Sequence, residues 1–547
     1  MAHLGISEPV ALKWRYIFHS DLLSILRTHL SVEIWKMASQ TPPRKILFLT
    51  NVERGEANVF LATCDALLRL APSIELHFAT FSGLEDAVAS VGRHVRESVP
   101  QAEPITFHKI DGISMEDSLK QLFKREKVPT RAGYPPNSYL ERPGIINTTK
   151  ALRDTIPVFV PYNGPQMVDI FCSICETIKK VDADLVVVNS LMTPGLTACY
   201  HLGIKFTCLS PNSIKDFAAA VQPKAAGLWK IPALFSGYTF PVPWYSRPAN
   251  IYYNIYGLFA WSRDNNRKQT EKYLAAQTGA TLRTPMDLTT NRPVWLKILV
   301  SSLPELDFPL AIPDYLIPCG PILRDASPIP ESDPKLEEWL ARGPTIYLNL
   351  GSICPVTESQ ALELALALKV VLDTLRVQPK AQNFQVLWKL KKLGNYEVLE
   401  PGSSIGKLLG QYIKLDSVRI VDWIQVEPIA VLQSGHAVCS VHHGGANSFN
   451  EAVRAGVPQV ILPQWIDCYD YAERVEMLGI GRIGSRKAKP RWTAKELSQE
   501  LLHVLRGENA ISFRQKANEI ASLCDKNGIG AMVAAQTLLG ECPEKIL

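Results

Sequence analysis

The chain has 547 residues, more than one ordinary hydrophobic core holds, so two domains are expected. It is 46% hydrophobic and 20% charged, the balance of a globular protein. A net charge of +5 over this length argues for neither nucleic acid nor a membrane surface, and eleven scattered cysteines suit free thiols in a reducing, cytoplasmic setting.

No run of eighteen apolar residues marks a transmembrane helix, and the N-terminus lacks the apolar core of a signal peptide. Residues 1–43 read as a helical extension. Within it, residues 10–37 are amphipathic, with Trp14, Phe18, Leu22, Ile25, Leu26 and Trp35. Such a helix packs on the body or makes weak contact with a membrane surface or partner. After "TPPR", the strand-like "KILFLT" is followed by a polar loop, "NVERGEAN", and a helical "VFLATCDALLRL". "IELHFATF" and "ITFHKI" read as the next strands. "ADLVVVNS", a helical "PGLTACYHLG" and "KFTCLS" continue the rhythm of a parallel sheet covered by helices.

Residues 210–260 break that rhythm with prolines and aromatics, a composition that suits an apolar pocket. Their plainer reading is core and loop. The first half is expected at 44–325 and a linker at 326–342. The rhythm restarts with "TIYLNLGS" in a second half, 343–525, and 526–547 reads as a C-terminal helix and tail. Two open parallel sheets bind ligands beyond the carboxyl ends of their strands. That places "NVERGEAN", "NSLMTPG", "GSICP" and "HHGGANS" around one cleft.

Several short patterns are set aside. "GIGRIG" (Gly479 to Gly484) follows a helix, so it reads as a helix stop and turn. "GSSIG" (Gly402 to Gly406) follows Pro401 without a strand, which a nucleophile elbow needs. "DAD" (Asp182 to Asp184) lies at the wrong end of its strand for the cleft. Cys172 and Cys175 sit in a helix with apolar neighbours, and "RKAKPR" (Arg486 to Arg491) reads as a solvated loop. His442 and His443 are adjacent and should point apart rather than share a metal.

"HAVCSV", "HHGGA", "NSFNEAVRAG" and "PQVILP" read as strand, loop, helix and strand. Gly444 and Gly445 let the backbone approach a ligand. The first helical amides lack internal partners and carry partial positive charge, which suits a phosphate. His443 adds a donor. The competing account is a capping box, because Ser448 and Glu451 match S-x-x-E. Trp423 upstream suits a base, Asp467 downstream suits sugar hydroxyls, and Gly351 and Ser352 begin the same half. Together these make the inventory for a nucleotide sugar.

The stretch from Trp423 to Tyr471 resembles the donor signature of the UDP-glycosyltransferase superfamily, glycosyltransferase family 1. "HHGGANSFNEAVRAGVP" and "PQWIDC" are its most specific parts, and the likeness runs over most of the chain from Lys45. "SPNSIKDF", "LWKIP" and "SGYTFPVPW" resemble a fungal branch acting on small hydrophobic compounds. The resemblance implies a GT-B fold, two Rossmann-like α/β domains facing across a cleft. It implies that Trp423 stacks on uracil and that Gly351, Ser352, His443, Asn447 and Ser448 hold the diphosphate. Glu451 then takes the ribose, and Asp467 with Trp465 reads the sugar. The implied reaction needs no metal or cofactor beyond the UDP-sugar donor and inverts the anomeric carbon; the N-terminal half binds the acceptor.

The sequence departs from that pattern. Glu56 stands where the family has His, Asn189 where it has Asp, and Cys468 where it has Gln. The spacing from Trp423 to His443 is two residues longer around Gln425. Glu56 is the expected base, held by Asn189, with His77 and His108 as rivals. Two functions stay open: a hexosyltransferase acting on a hydrophobic acceptor, with a sterol or lipid as variant, or a GT-B protein that binds UDP-sugar without turning it over.

Overall fold

The computed structural model describes residues 44–131, 135–352, 354–377, 383–400 and 402–542. The expected amphipathic segment 10–37 lies outside them. Two parallel sheets carry the chain. The first runs β1 (Lys45–Leu49), β2 (Glu75–Thr80), β3 (Thr106–Lys109), β4 (Leu185–Asn189), β5 (Phe206–Ser210), β6 (Ile298–Val300) and β7 (Leu316–Pro318), in spatial order β3-β2-β1-β4-β5-β6-β7. The second holds β8 (Thr345–Asn349), β9 (Gln385–Lys389), β10 (Val418–Val421), β11 (Ala437–His442), β12 (Gln459–Ile461) and β13 (Gly481–Ile483), ordered β10-β9-β8-β11-β12-β13.

Central strands β1, β4 and β8 are buried almost throughout and apolar along their length, as strands covered on both faces must be. Helices cover these sheets. α1 (Arg54–Leu70) follows β1, α2 (Ile145–Thr155) and the short α3 (Ile214–Ala218) lie in the first half, and α4 (Arg247–Arg263) packs on α2. α5 (Ala446–Arg454) follows β11 and α6 (Cys468–Met477) follows β12. α7 (Gly530–Glu541) returns to the first half, setting Ala531, Ala534, Ala535 and Leu538 in one core with Phe60, Leu61 and Leu67 of α1. Between the halves, Ile329–Ser332 and Pro334–Leu340 are short helices, and Trp339 is buried in the core of the second half.

The strand reading from sequence holds for β1 to β5, β8, β9, β11 and β12. The three-residue β6, β7 and β13 and the four-residue β10 were not expected. α1 also starts earlier than expected, at Arg54, so "RGEAN" is helix and not loop.

The halves are joined by buried charge. Lys215 of α3 lies 2.5 Å from Asp470 of α6, with both side chains nearly inaccessible. Arg474 of α6 pairs with Asp307 at 2.8 Å and donates to Ser213 Oγ at 2.8 Å.

Candidate functional site

Both sheets turn their carboxyl ends to the same cleft. On the first, β1 leads through Thr50 and Asn51 into α1, whose first turn carries Glu56. Asn189 closes the neighbouring β4. Its Oδ1 accepts from Leu191 N at 2.8 Å, which fixes the amide so that Nδ2 donates to Glu56 Oε2 at 2.9 Å and to Thr50 Oγ1 at 3.3 Å. The sequence-predicted pair is therefore in contact.

Glu56 sits in the helix's first turn, where the dipole favours a carboxylate. Burial outweighs this and raises its pKa to about 7; the charges of Glu53 and Asp467 push the same way and the Asn189 bond opposes them. The influence of Asp467 on Glu56 means that residues from opposite halves face each other. The rival bases pair with each other. His77 Nδ1 and His108 Nε2 are 2.9 Å apart on the neighbouring strands β2 and β3, of which β3 is the sheet's edge. His77 lines a shallow surface hollow with Ser73, Glu103 and Pro104, at the amino ends of those strands.

Four buried polar atoms near this end of the first sheet have no hydrogen-bond partner within the protein: Asn51 Oδ1, Glu53 Oε2, Thr80 Oγ1 and Tyr162 OH. Glu53's other oxygen accepts from Glu116 N at 2.8 Å, and its charge helps raise the Tyr162 phenol. An unsatisfied buried polar group costs about 1–3 kcal/mol, so a ligand carrying matching groups has something to gain here.

On the second sheet, the two histidines point apart as expected. His442 is buried, bonds Gln459 Oε1 at 2.8 Å and accepts from Gly444 N at 3.1 Å, which pins the loop. His443 turns the other way. A Cβ on Gly351 (φ +82°) would lie 2.8 Å from its Cε1, and one on Gly445 would lie 2.5 Å from its Nε2. Both glycines therefore exist to let this ring in. Gly444 (φ +90°) makes room for Ile461 and Cys468. Burial lowers the His443 pKa to about 3, with His442 and Lys389 adding to the effect, and its Nδ1 has no partner within the protein. A value this low leaves the ring uncharged at neutral pH.

The capping-box reading fails. α5 begins at Ala446, with Gly445 as its N-cap and no side chain capping it, so Ser448 lies inside the first turn. Asn447 and Ser448 flank those amides, half-buried. Glu451, one turn on, has its pKa raised to about 8 by burial, helped by Glu427, and its own charge raises the Tyr347 phenol. Ser352 is exposed, with its carbonyl accepting from Lys391 Nζ at 2.5 Å. Trp423 is 62% exposed, and the Lys389 ammonium lies 4.1 Å from its ring centroid. Asp467 precedes α6 with its pKa raised to about 7, by burial first and then by Asp216 and Asp470. Trp465 meets Tyr139 of the first half edge-on, centroids 5.2 Å apart.

Sequence reasoning missed Lys389, which ends β9 beside Trp423; a lysine closing "FQVLWK" was the available signal. It also missed the Lys215–Asp470 pair, whose members are 255 residues apart and leave no local pattern. Cys468 is buried beneath Gly444.

The set-aside patterns behave as structure. Ser403 caps the helix at Ser404, accepting from Gly406 N at 2.9 Å. Asp184 accepts from Lys45 N at 2.8 Å at the far end of the sheet. Among "RKAKPR", however, Lys489 is not merely solvated: its Nζ donates to Gly237 O at 2.7 Å, across the halves. Among the described residues no group of three or more His, Cys, Asp or Glu is arranged to hold a metal.

A glycosyltransferase of Sordaria araneosa, sdnJ, is 31% identical over 527 residues, spanning 92% of this chain and 98% of its own length. The chain belongs to the UDP-glycosyltransferase family. Residues 412–526 of this glycosyltransferase match the family described as erythromycin biosynthesis protein CIII-like, C-terminal domain. A UDP-glycosyltransferase of Talaromyces amestolkiae is 26% identical over 44% of the chain and 45% of its own length. Among solved structures, Medicago truncatula UGT71G1 complexed with UDP-glucose aligns with a TM-score of 0.57 at 14% identity, over 91% of this chain and 98% of that one. A Polygonum tinctorium UDP-glucosyltransferase described as glucosylating indoxyl aligns at 0.56 and 17%, over 93% and 100%. The fold is GT-B.

Proposed function

We propose that this glycosyltransferase moves a hexose, glucose, from UDP-glucose to a hydroxyl of a hydrophobic small molecule, a secondary metabolite, by one inverting displacement that needs no metal. The observation that carries the reading is the Glu56–Asn189 pair, 2.9 Å apart and within electrostatic reach of Asp467 on the opposite half. The acceptor oxygen attacks the anomeric carbon as its proton passes to Glu56. The bond from that carbon to the phosphate oxygen breaks on the opposite face, and UDP leaves with the electron pair.

A positioned base contributes about a hundred- to ten-thousand-fold, most effectively when its pKa lies near the working pH. A value of about 7 meets that condition. The uncapped start of α5 and the neutral His443 receive the diphosphate's charge, in a partly desolvated corner where such dipoles act strongly. Trp423 supports the base, Glu451 the ribose and Asp467 the sugar hydroxyls. The unsatisfied Asn51, Glu53, Thr80 and Tyr162 suit polar groups of an otherwise apolar acceptor.

The test is incubation of purified protein with UDP-glucose, a panel of apolar alcohols and phenols, and a chelator. A product heavier by one hexose, of inverted configuration, is the expected result. Saturable UDP-glucose binding with no transfer across the panel contradicts it.

A further inference from the structure

We propose that α4 and the aromatic loop before it form a docking surface for an anionic lipid bilayer. Tyr252, Ile255 and Phe259 follow one another at spacings of three and four, so they share one helix face, and that face is exposed to solvent. Leu258 beside it is exposed as well, and Trp244, just before the helix, is 76% exposed. An apolar stripe at helical period normally faces a core. Here the core-facing side of α4 is held instead by Asn250 and Tyr253.

Charge indicates what covers the stripe. Between Asp216 and Asp264 the chain has no acidic residue, while Lys224, Lys230, Arg247 and Arg263 are all basic. One of these borders the stripe, Arg263 stacking over Phe259 at 5.3 Å, and Arg247 at the start of α4 stacks over Trp229 at 4.9 Å. Exposed Trp, Tyr and Phe flanked by Lys and Arg is the composition that settles at a headgroup boundary. A second copy of this chain fits less well, because a two-fold contact through this face would bring the arginines of both copies together. Among the described residues no helix is long and apolar enough to cross a membrane, so the contact is with the surface.

The position connects the surface to the cleft. Buried Tyr253, on the inner side of α4, belongs to one apolar cluster with Tyr139, Phe235 and Tyr469, and Trp465 packs against it. The stripe is therefore one helix thickness from a cluster that reaches the cleft, and an apolar acceptor dissolved in a bilayer would arrive beside it. That last point rests on the proposed function; the docking does not.

The experiment uses the full chain with vesicles of phosphatidylcholine alone and of phosphatidylcholine with phosphatidylserine, read by co-sedimentation and tryptophan emission. The wild type is expected to sediment with the anionic vesicles, to shift its emission to the blue, and to release as salt rises. Tyr252→Ser/Ile255→Ser/Phe259→Ser is expected to weaken vesicle binding by about tenfold or more while keeping its UDP affinity. Trp244→Ser, outside the helix, gives an independent reading and is expected to lose most of the blue shift. A wild type that stays in the supernatant overturns the proposal. So does a triple variant that binds vesicles as the wild type does, which would assign the contact elsewhere, or a wild-type dimer that ignores vesicles and that the triple variant converts to monomer.

Discussion

Glu451 sets binding against stability. Burial, with Glu427 adding, raises its pKa from 4.5 to about 8 in the folded protein. A group raised in this way favours the folded state fully below the unfolded pKa, and that contribution is lost as pH rises through the folded value. Glu451→Gln cannot lose it. In thermal melts without ligand, the variant is expected to exceed the wild type at pH 8.5, with the gap closing towards pH 4. In calorimetric titrations the same variant is expected to bind UDP at least about tenfold more weakly, a cost of about 1.4 kcal/mol. Equal midpoints at pH 8.5 would contradict the burial argument. At this scale the sequence was legible in the expected pairing of Glu56 with Asn189, which the structure brings into contact at 2.9 Å. It was silent on Lys389 and Glu53, whose surroundings come from distant strands and helices.

At the scale of the element, the start of α5 is decided by a glycine. S-x-x-E is a local pattern, and it cannot register that the helix already begins at Ala446. What the element needs is a helix start free of side-chain caps and a ring beside it, and the close approach of His443 to Gly445 provides that. Gly445 has an ordinary extended backbone, φ −69° and ψ 151°, so Gly445→Ala strains no dihedral. Its new Cβ displaces the imidazole instead. The expected outcome is UDP affinity about tenfold weaker together with a thermal midpoint lowered by a few degrees, since displacing a packed ring costs about 1–3 kcal/mol. Unchanged UDP affinity would mean that His443 does not face the diphosphate. α1 teaches the same lesson: charge and glycine in "VERGEAN" suggested a loop, yet the turn after β1 is short enough for the helix to begin at Arg54.

At the scale of the whole molecule, the two halves were legible from the alternation of apolar strands and helical periods, because each central strand is long and buried on both faces. The contacts between the halves were not, since they pair residues hundreds of positions apart. Lys215 and Asp470 are both about nine-tenths or more buried. Removing one partner of such a pair leaves an uncompensated charge, at a cost of about 3–5 kcal/mol. Lys215→Met is therefore expected to lower the urea midpoint markedly, and adding Asp470→Leu is expected to restore most of it. A single variant as stable as the wild type would show that the pair does not hold the halves together. The claim that draws both halves into one function is that Glu56, from the first, takes the acceptor's proton opposite a donor held by the second. It is tested most directly by the pH dependence of kcat/KM for hexose transfer, wild type against Glu56→Gln, with UDP affinity measured on the same preparations. The expected result is a wild-type rate that falls below a pH of about 7 as Glu56 takes up its proton, and a variant slower by about a hundredfold or more with no acid limb there and UDP affinity intact. A variant that matches the wild-type rate and keeps the same limb would contradict it.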